Sequence, residues 1–191
     1  MVVKNLVAAA VTGLFLSAAV GPAPVAAQQP KSLASDSVFI QRASSAGLLQ
    51  VKLGQLAEKK GTSPAVLEFG RRMVTDYSKA KEELKAAAKV AGFPAPALLR
   101  LDQQIFDRFN GMRRSSFDKA YMAEMVAQHR EEVRLFQGES AGGRVQSLKQ
   151  LASRMLPEME QRLSLATETA GSVGVDVTAS SAAASQGSAT N

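Results

Sequence analysis

The chain of 191 residues has no cysteine, no tryptophan and a single histidine, His129. Without cysteine there is no disulfide, no thiolate metal site, no thiol nucleophile and no lipid-modified N-terminal cysteine. One histidine excludes a multi-histidine metal cage built within one chain. The sequence also lacks a G-x-S-x-G elbow, a phosphate-binding glycine loop and a dinucleotide fingerprint. Ser44-Ser45 and Ser115-Ser116 therefore read as capping or helix-surface residues, not nucleophiles. No segment after residue 27 alternates as a strand would. The expectation is an all-α protein with no enzymatic activity of its own and no cofactor.

The N-terminus carries a separate signal. Lys4 supplies a positive charge, Leu6 to Val20 is mostly apolar, and Gly21, Pro22 and Pro24 precede Val25-Ala26-Ala27. That order matches a secretory signal cleaved after Ala27. The apolar run of 15 residues falls short of the ~20 that a membrane-spanning helix needs. Residues 1–27 are thus expected to be a signal peptide, giving a periplasmic or secreted protein, or a membrane-anchored one if the signal stays uncleaved. Losing them removes Lys4 and no acid, lowering the formal charge of +6 by one.

Residues 28–35 read as a polar leader. Residues 171–191 are Gly, Ser, Ala, Thr and Val with few charges, too poor in large apolar side chains to offset ordering entropy, and are expected to form a disordered tail. Between them, residues 36–170 read as four long helices. Phe39, Ala43, Ala46, Leu53 and Ala57 mark the first, which Gly61 ends. Ser63 as N-cap and Pro64 at the first helical position open the second, which runs to Gly92-Phe93-Pro94. The third starts at Ser115 or Ser116, with Asp118 at its N-terminus and Gly138 at its end. The fourth spans about Gly143 to Thr169, with Pro157 predicting a kink. Links of about three residues join the first helix to the second and the third to the fourth. The 23 residues from Gly92 to Arg114 hold a short helix around Leu98 to Phe109. A long crossover between two helical hairpins predicts a four-helix ferritin-like bundle, with the crossover between helices two and three.

Polar residues interrupt the apolar stripes. Gln50, Asp76 with Tyr77, His129 and Arg162 each fall where a core residue is due. Bundle proteins build metal sites in this way, from inward carboxylates and histidines. A guanidinium beside a dication is unfavourable, however, and cannot serve as a ligand. The residues favour a hydrogen-bonded polar core layer of Gln50, Asp76, Tyr77, His129 and Arg162, with Asp76 and Arg162 as a charge-assisted bidentate pair. If that pair is fully buried, Arg162→Leu alone should cost about 3–5 kcal/mol. A metal site is not expected; if one exists, its ligands are Asp76, His129, Asp118 and Tyr121. Six methionines beyond Met1 read as core filling. Glu82-Glu83 and Glu131-Glu132 read as solvated faces. Arg71, Arg72, Arg113 and Arg114 could give weak contact with an anionic lipid or wall polymer. The expected partner is otherwise an unknown protein or envelope component, with no role for nucleic acid.

Several segments in order resemble a bacterial exported family, domain of unknown function 4142. They are Phe39-Ile40, Leu53-Gly54-Gln55-Leu56-Ala57, Phe69 with Met73-Val74-Thr75-Asp76, Phe117-Asp118-Lys119-Ala120-Tyr121, Met125-Val126, His129, Leu156-Pro157 and Leu163. The resemblance implies a ferritin-like four-helix domain behind a signal peptide, without an established activity. Three positions depart from the family pattern: Gln50 stands for a Glu, and Tyr77 and Arg162 each stand for a His. Asp76, Asp118, Tyr121 and His129 are kept. If relatives hold a metal through these positions, this chain has lost three of the ligands.

Overall fold

A computed structural model describes residues 31–94 and 97–177, and within them every regular element is helical. The elements are α1 (Lys31–Lys60), α2 (Pro64–Val90), α3 (Arg100–Gly111), a 3-10 turn (Arg114–Ser116), α4 (Phe117–Gly142) and α5 (Gln146–Ser172). The fold is all-α. The expected signal peptide, residues 1–27, and most of the expected tail, residues 178–191, lie outside the described residues.

Three boundaries differ from the sequence reading. Helix α1 begins at Lys31, because nothing between Lys31 and Asp36 breaks a helix. Helix α4 continues past Gly138 to Gly142, since a single interior glycine costs only about 1 kcal/mol. Residues 171–177 are packed: α5 runs to Ser172, Gly174 adopts φ +74°, and Val173, Val175 and Val177 return against the core. Arg130 on α4 donates to the Val177 carbonyl at 3.0 Å. Pro157 lies within α5 without dividing it.

Short turns make α1 and α2 one antiparallel hairpin, and α4 and α5 a second. These two pairings are the most extensive, and further contacts between α1 and α4 and between α2 and α5 close the bundle. Helix α3 lies on α1 and is held at both ends by it. Ser45, fully buried, accepts the Leu99 N–H at 2.7 Å and donates to Asp102, satisfying the start of α3. Lys60 Nζ donates to the carbonyls of Phe109, Asn110 and Met112 at 3.2, 2.5 and 2.9 Å, satisfying its end. A cation at a helix C-terminus also complements the helix dipole. Asp118 accepts from the N–H groups of Thr62 and Ser63 and from Thr62 Oγ1, so it fixes the α1–α2 turn from the start of α4.

The core falls into two apolar clusters. One holds Leu53, Phe69, Met73, Phe109, Phe117, Tyr121, Met122 and Met125. The other holds Phe39, Ile40, Leu84, Phe136, Leu148, Met155 and Met159. Each large apolar side chain fully buried contributes about 1.5–3 kcal/mol, and this outweighs weak local helix signals. The α1–α2 contact is closest at two glycines. A Cβ on Gly54 would meet the Gly70 carbonyl at 2.7 Å, and one on Gly70 would meet Ala57 Cβ at 2.8 Å. Gly54→Val should therefore lower unfolding stability by about 1–3 kcal/mol or more, because backbone cannot move aside as a side chain can. Urea denaturation checks this; an unchanged midpoint would mean the helices can separate freely there.

Candidate functional site

The two clusters are separated by a layer of polar side chains, one or more from each long helix. Gln50 comes from α1, Tyr77 from α2, His129 and Glu132 from α4, and Arg162 from α5. All five are buried, Gln50 and His129 completely and Arg162 with 6 % of its surface exposed. Glu132 corrects the sequence reading of Glu131-Glu132 as a solvated face. Glu131 is about half exposed, whereas Glu132 is 4 % exposed. Its position was available from spacing: Met122, Met125, His129, Glu132, Phe136 and Glu139 recur every three and four residues along one buried face.

Glu132 is the acceptor around which the layer is arranged. The Tyr77 hydroxyl donates to Glu132 Oε2, and Gln50 Nε2 donates to Oε1 at 3.4 Å. The Arg162 guanidinium stacks over the Tyr77 ring, 4.8 Å from its centroid. A cation over an aromatic face is attracted by the ring quadrupole, and here it acts on the same phenol as the charge of Glu132. Tyr77 is held as a phenol: burial, then the charge of Glu132, push its ionisation well above the ordinary range, with Arg162 opposing. It donates to a carboxylate that cannot take its proton without cost.

Arg162 links the layer to solvent. Its Nη2 pairs with Glu158 at 2.9 Å, one turn back on α5, and its Nε lies 3.8 Å from Asp76 Oδ2. Asp76 is a quarter exposed and also pairs with Arg72 at 3.4 Å. The expected bidentate Asp76–Arg162 pair is thus a single long contact shared with other charges. Glu158, four residues before Arg162 on the same helix, competes for the guanidinium at lower entropic cost. Removing Arg162 should cost less than the 3–5 kcal/mol expected for a sealed pair. Outside this network lies a groove of about 280 Å³, lined by Arg72, Asp76, Lys79, Glu83, Glu158 and Arg162.

His129 is set apart from these pairings. Its Nδ1 lies 2.7 Å from the Met125 carbonyl, which requires the proton on Nδ1 and leaves Nε2 as a bare acceptor. Nε2 is buried without a protein partner, as are Gln50 Oε1 and the Tyr121 hydroxyl. The imidazole contacts the rings of Phe69 and Tyr77 edge-on, with centroids 6.0 Å away. Burial is the main cause of its lowered pKa, opposed by Glu132 and the Met125 carbonyl.

The candidate metal ligands are not brought together. Asp76 is at the surface, Asp118 holds the α1–α2 turn, and Tyr121 stacks on Phe117 within an aromatic group with Phe69 and Phe109. Only His129 belongs to the central layer. Among the described residues no three His, Cys, Asp or Glu side chains gather as a metal site. The donor set present does not fit a divalent ion, because the Arg162 guanidinium, which cannot serve as a ligand, acts on the same phenol as Glu132.

Glu132→Ala leaves two buried donors, Tyr77 and Gln50, without an acceptor. It should lower unfolding stability by about 3 kcal/mol. Glu131→Ala, one residue away, should stay within about 0.5 kcal/mol. Denaturant melts of the two variants distinguish a buried hub from a solvated pair; equal effects would contradict the hub. For His129 the unfolded chain binds a proton below pH ~6.5 while the native state resists it. Stability should therefore be full above pH ~6.5 and fall as the pH drops below it, while the native imidazole NMR signals stay in the neutral position. An imidazole that titrates normally would contradict its burial.

Known proteins were compared with this chain. No curated protein matches it. One solved structure with a related fold is "CopM in the Cu(I)-bound form", with a TM-score of 0.56, 16 % identity, and coverage of 70 % of this chain and 93 % of that one. At that identity the likeness shows the shared fold. A family model described as a domain of unknown function matches residues 21–169, nearly all of the helical domain. The chain belongs to that family, domain of unknown function 4142.

Proposed function

We propose that this protein is an exported, non-enzymatic helical bundle acting as a structural or interaction module of the periplasm or cell envelope. The observation that carries the reading is the closure of the central layer by the chain's own side chains. Tyr77 and Gln50 occupy Glu132, and Arg162 packs its charge on the Tyr77 ring. Where the family pattern places Glu, His and His, this chain has an amide, a phenol and a guanidinium. The phenol satisfies a buried carboxylate without a metal, and the amide adds a weaker bond. Export rests on the sequence of residues 1–27, with Lys4, the apolar run and Ala27 in the order a signal peptidase reads. No described helix is long and apolar enough to cross a membrane.

A second reading, a metal-binding bundle with a degenerate core site, is favoured by one observation. His129 Nε2 is a buried acceptor without a protein partner. Its ring touches Phe69 and Tyr77, and Met73 lies between those two residues on the same buried face of α2. Imidazole and thioether donors suit a soft ion such as Cu(I). The related fold of a Cu(I)-bound protein adds to this reading. Elemental analysis of protein expressed with residues 1–27 and purified without chelator or histidine tag separates the two. The first reading expects an N-terminus at Gln28 and less than a tenth of an equivalent of any transition metal. Near-stoichiometric copper, zinc, iron or manganese would overturn it.

A further inference from the structure

At the end of the bundle remote from Tyr121, helices α1 and α4 meet through two acids. Asp36 is fully buried, and Glu139 is 4 % exposed. The two carboxyl groups are close enough to act on one another, and they can share a hydrogen bond only with a proton on one of them. Asp36 Oδ1 accepts the backbone N–H of Arg144 at 3.0 Å, tying α1 to the turn between α4 and α5. Among the described residues no N–H or hydroxyl donates to Asp36 Oδ2 or to Glu139 Oε1, both of them buried. The Glu139 carbonyl accepts the Gly143 N–H at 2.8 Å, and a Cβ at Gly143 would lie 2.6 Å from that carbonyl. The turn is therefore packed directly on the acid pair.

Among the described residues no cation forms an ion pair with either acid. From α5, Lys149 acts on Glu139 through its charge, but its Nζ donates to the Ala141 carbonyl at 3.2 Å. Arg42 on α1 and Arg134 on α4 both turn to Glu131, at 3.6 and 2.7 Å. Two carboxylates in one buried site cannot both ionise cheaply.

We propose that Asp36 and Glu139 form a proton-operated latch, which holds the start of α1 and the α4–α5 turn on the bundle while Glu139 is protonated and releases them when it ionises. Glu139 sits in the range where this matters. Burial, then the hydrogen bond and charge of Asp36, push its carboxyl from the ordinary 4.5 up to about 7, against the opposing charge of Lys149. In the closed latch the proton is retained, whereas in an opened one it is lost above the ordinary value. The closed form is thus most favoured at low pH, loses ground as the pH rises from about 4.5 to about 7, and loses no more above that. Beside it, already open to solvent, lies a groove of about 650 Å³ with Val38, Phe39 and Leu135 as its apolar wall. Phe39 itself is buried edge-on against Phe136 at 5.1 Å, so release would loosen that aromatic contact.

The test uses the full mature chain, carbon-13 NMR of the glutamate carboxyls, and hydrogen exchange corrected for intrinsic rates. The Glu139 carboxyl should titrate near pH 7. Amides around residues 36–43 and 139–145 should open about a hundredfold more at pH 8 than at pH 5. In Glu139→Gln, whose amide can still bond Asp36, that pH dependence should vanish. A Glu139 midpoint near 4.5, or the same pH dependence in Glu139→Gln, overturns the latch. Should Glu139→Gln fail to fold, Asp36→Asn must lower the Glu139 midpoint; an unchanged midpoint likewise overturns it. Local exchange is the right readout, because His129 drives global stability in the opposite sense over the neighbouring pH range.

Discussion

A carboxylate buried in the middle of a four-helix core must be hydrogen-bonded and charge-matched, or the bundle cannot close around it. Glu132 imposes that condition here, and much of the central layer follows from it. Tyr77 is a phenol whose burial keeps its proton on, so it donates to the carboxylate. Gln50 brings an amide from the opposite hairpin. Arg162 brings the charge and stays wet enough at its tip to share Glu158 and Asp76. The layer thus draws one group from each long helix and fixes how the two hairpins face one another. Apolar packing alone would tolerate several rotations of a helix, whereas a hydrogen-bonded hub tolerates few.

The remaining polar groups act at the ends. Ser45 and Lys60, both on α1, satisfy opposite termini of α3 and so pin the long connection across the bundle. Asp118 fixes the turn of the other hairpin. Asp36 reaches the α4–α5 turn through Arg144. Each of these contacts is long-range in sequence, and each satisfies backbone groups that a helix end or turn leaves without a partner. Exposed pairs such as Arg71–Glu68 and Arg134–Glu131 are local and contribute little beyond solubility.

The sequence was most legible where a local rule decides the outcome. Pro64 at the first position of α2 and Gly92 at φ +76° mark ends whose chemistry is complete within a few residues, whereas the turn from Gly61 to Ser63 is completed by Asp118 from α4, and Ser63 gives no side-chain cap bond. The 3–4 spacing of apolar residues marked the four long helices, and the short helix expected around Leu98 to Phe109 is α3, Arg100–Gly111. The family resemblance through Phe69, Asp76, Tyr121 and His129 also identified the family correctly. Legibility failed where partners come from distant elements. Glu132 was hidden by its neighbour Glu131, since a doublet of acids looks solvated unless the seam is carried one step beyond His129. Ser44 and Ser45 are buried although they read as capping or helix-surface residues, and Glu139 lies on the same seam as Glu132, one step beyond Phe136. The Asp76–Arg162 pair proved weaker than expected because Glu158 lies one helical turn from Arg162.

The account turns on whether the central layer is complete in itself. His129 is its most exacting probe, since Nε2 is the one ring atom a metal could take without breaking a hydrogen bond in the layer. The direct measurement is an anaerobic Cu(I) competition titration against a chromophoric chelator, with nitrogen-15 NMR of the imidazole recorded alongside. The account predicts that the chelator keeps the copper and that Nε2 resonates as an uncoordinated acceptor throughout. Retention of one equivalent with a shifted Nε2 signal would contradict it, and would make the layer a ligand site in place of a structural hub.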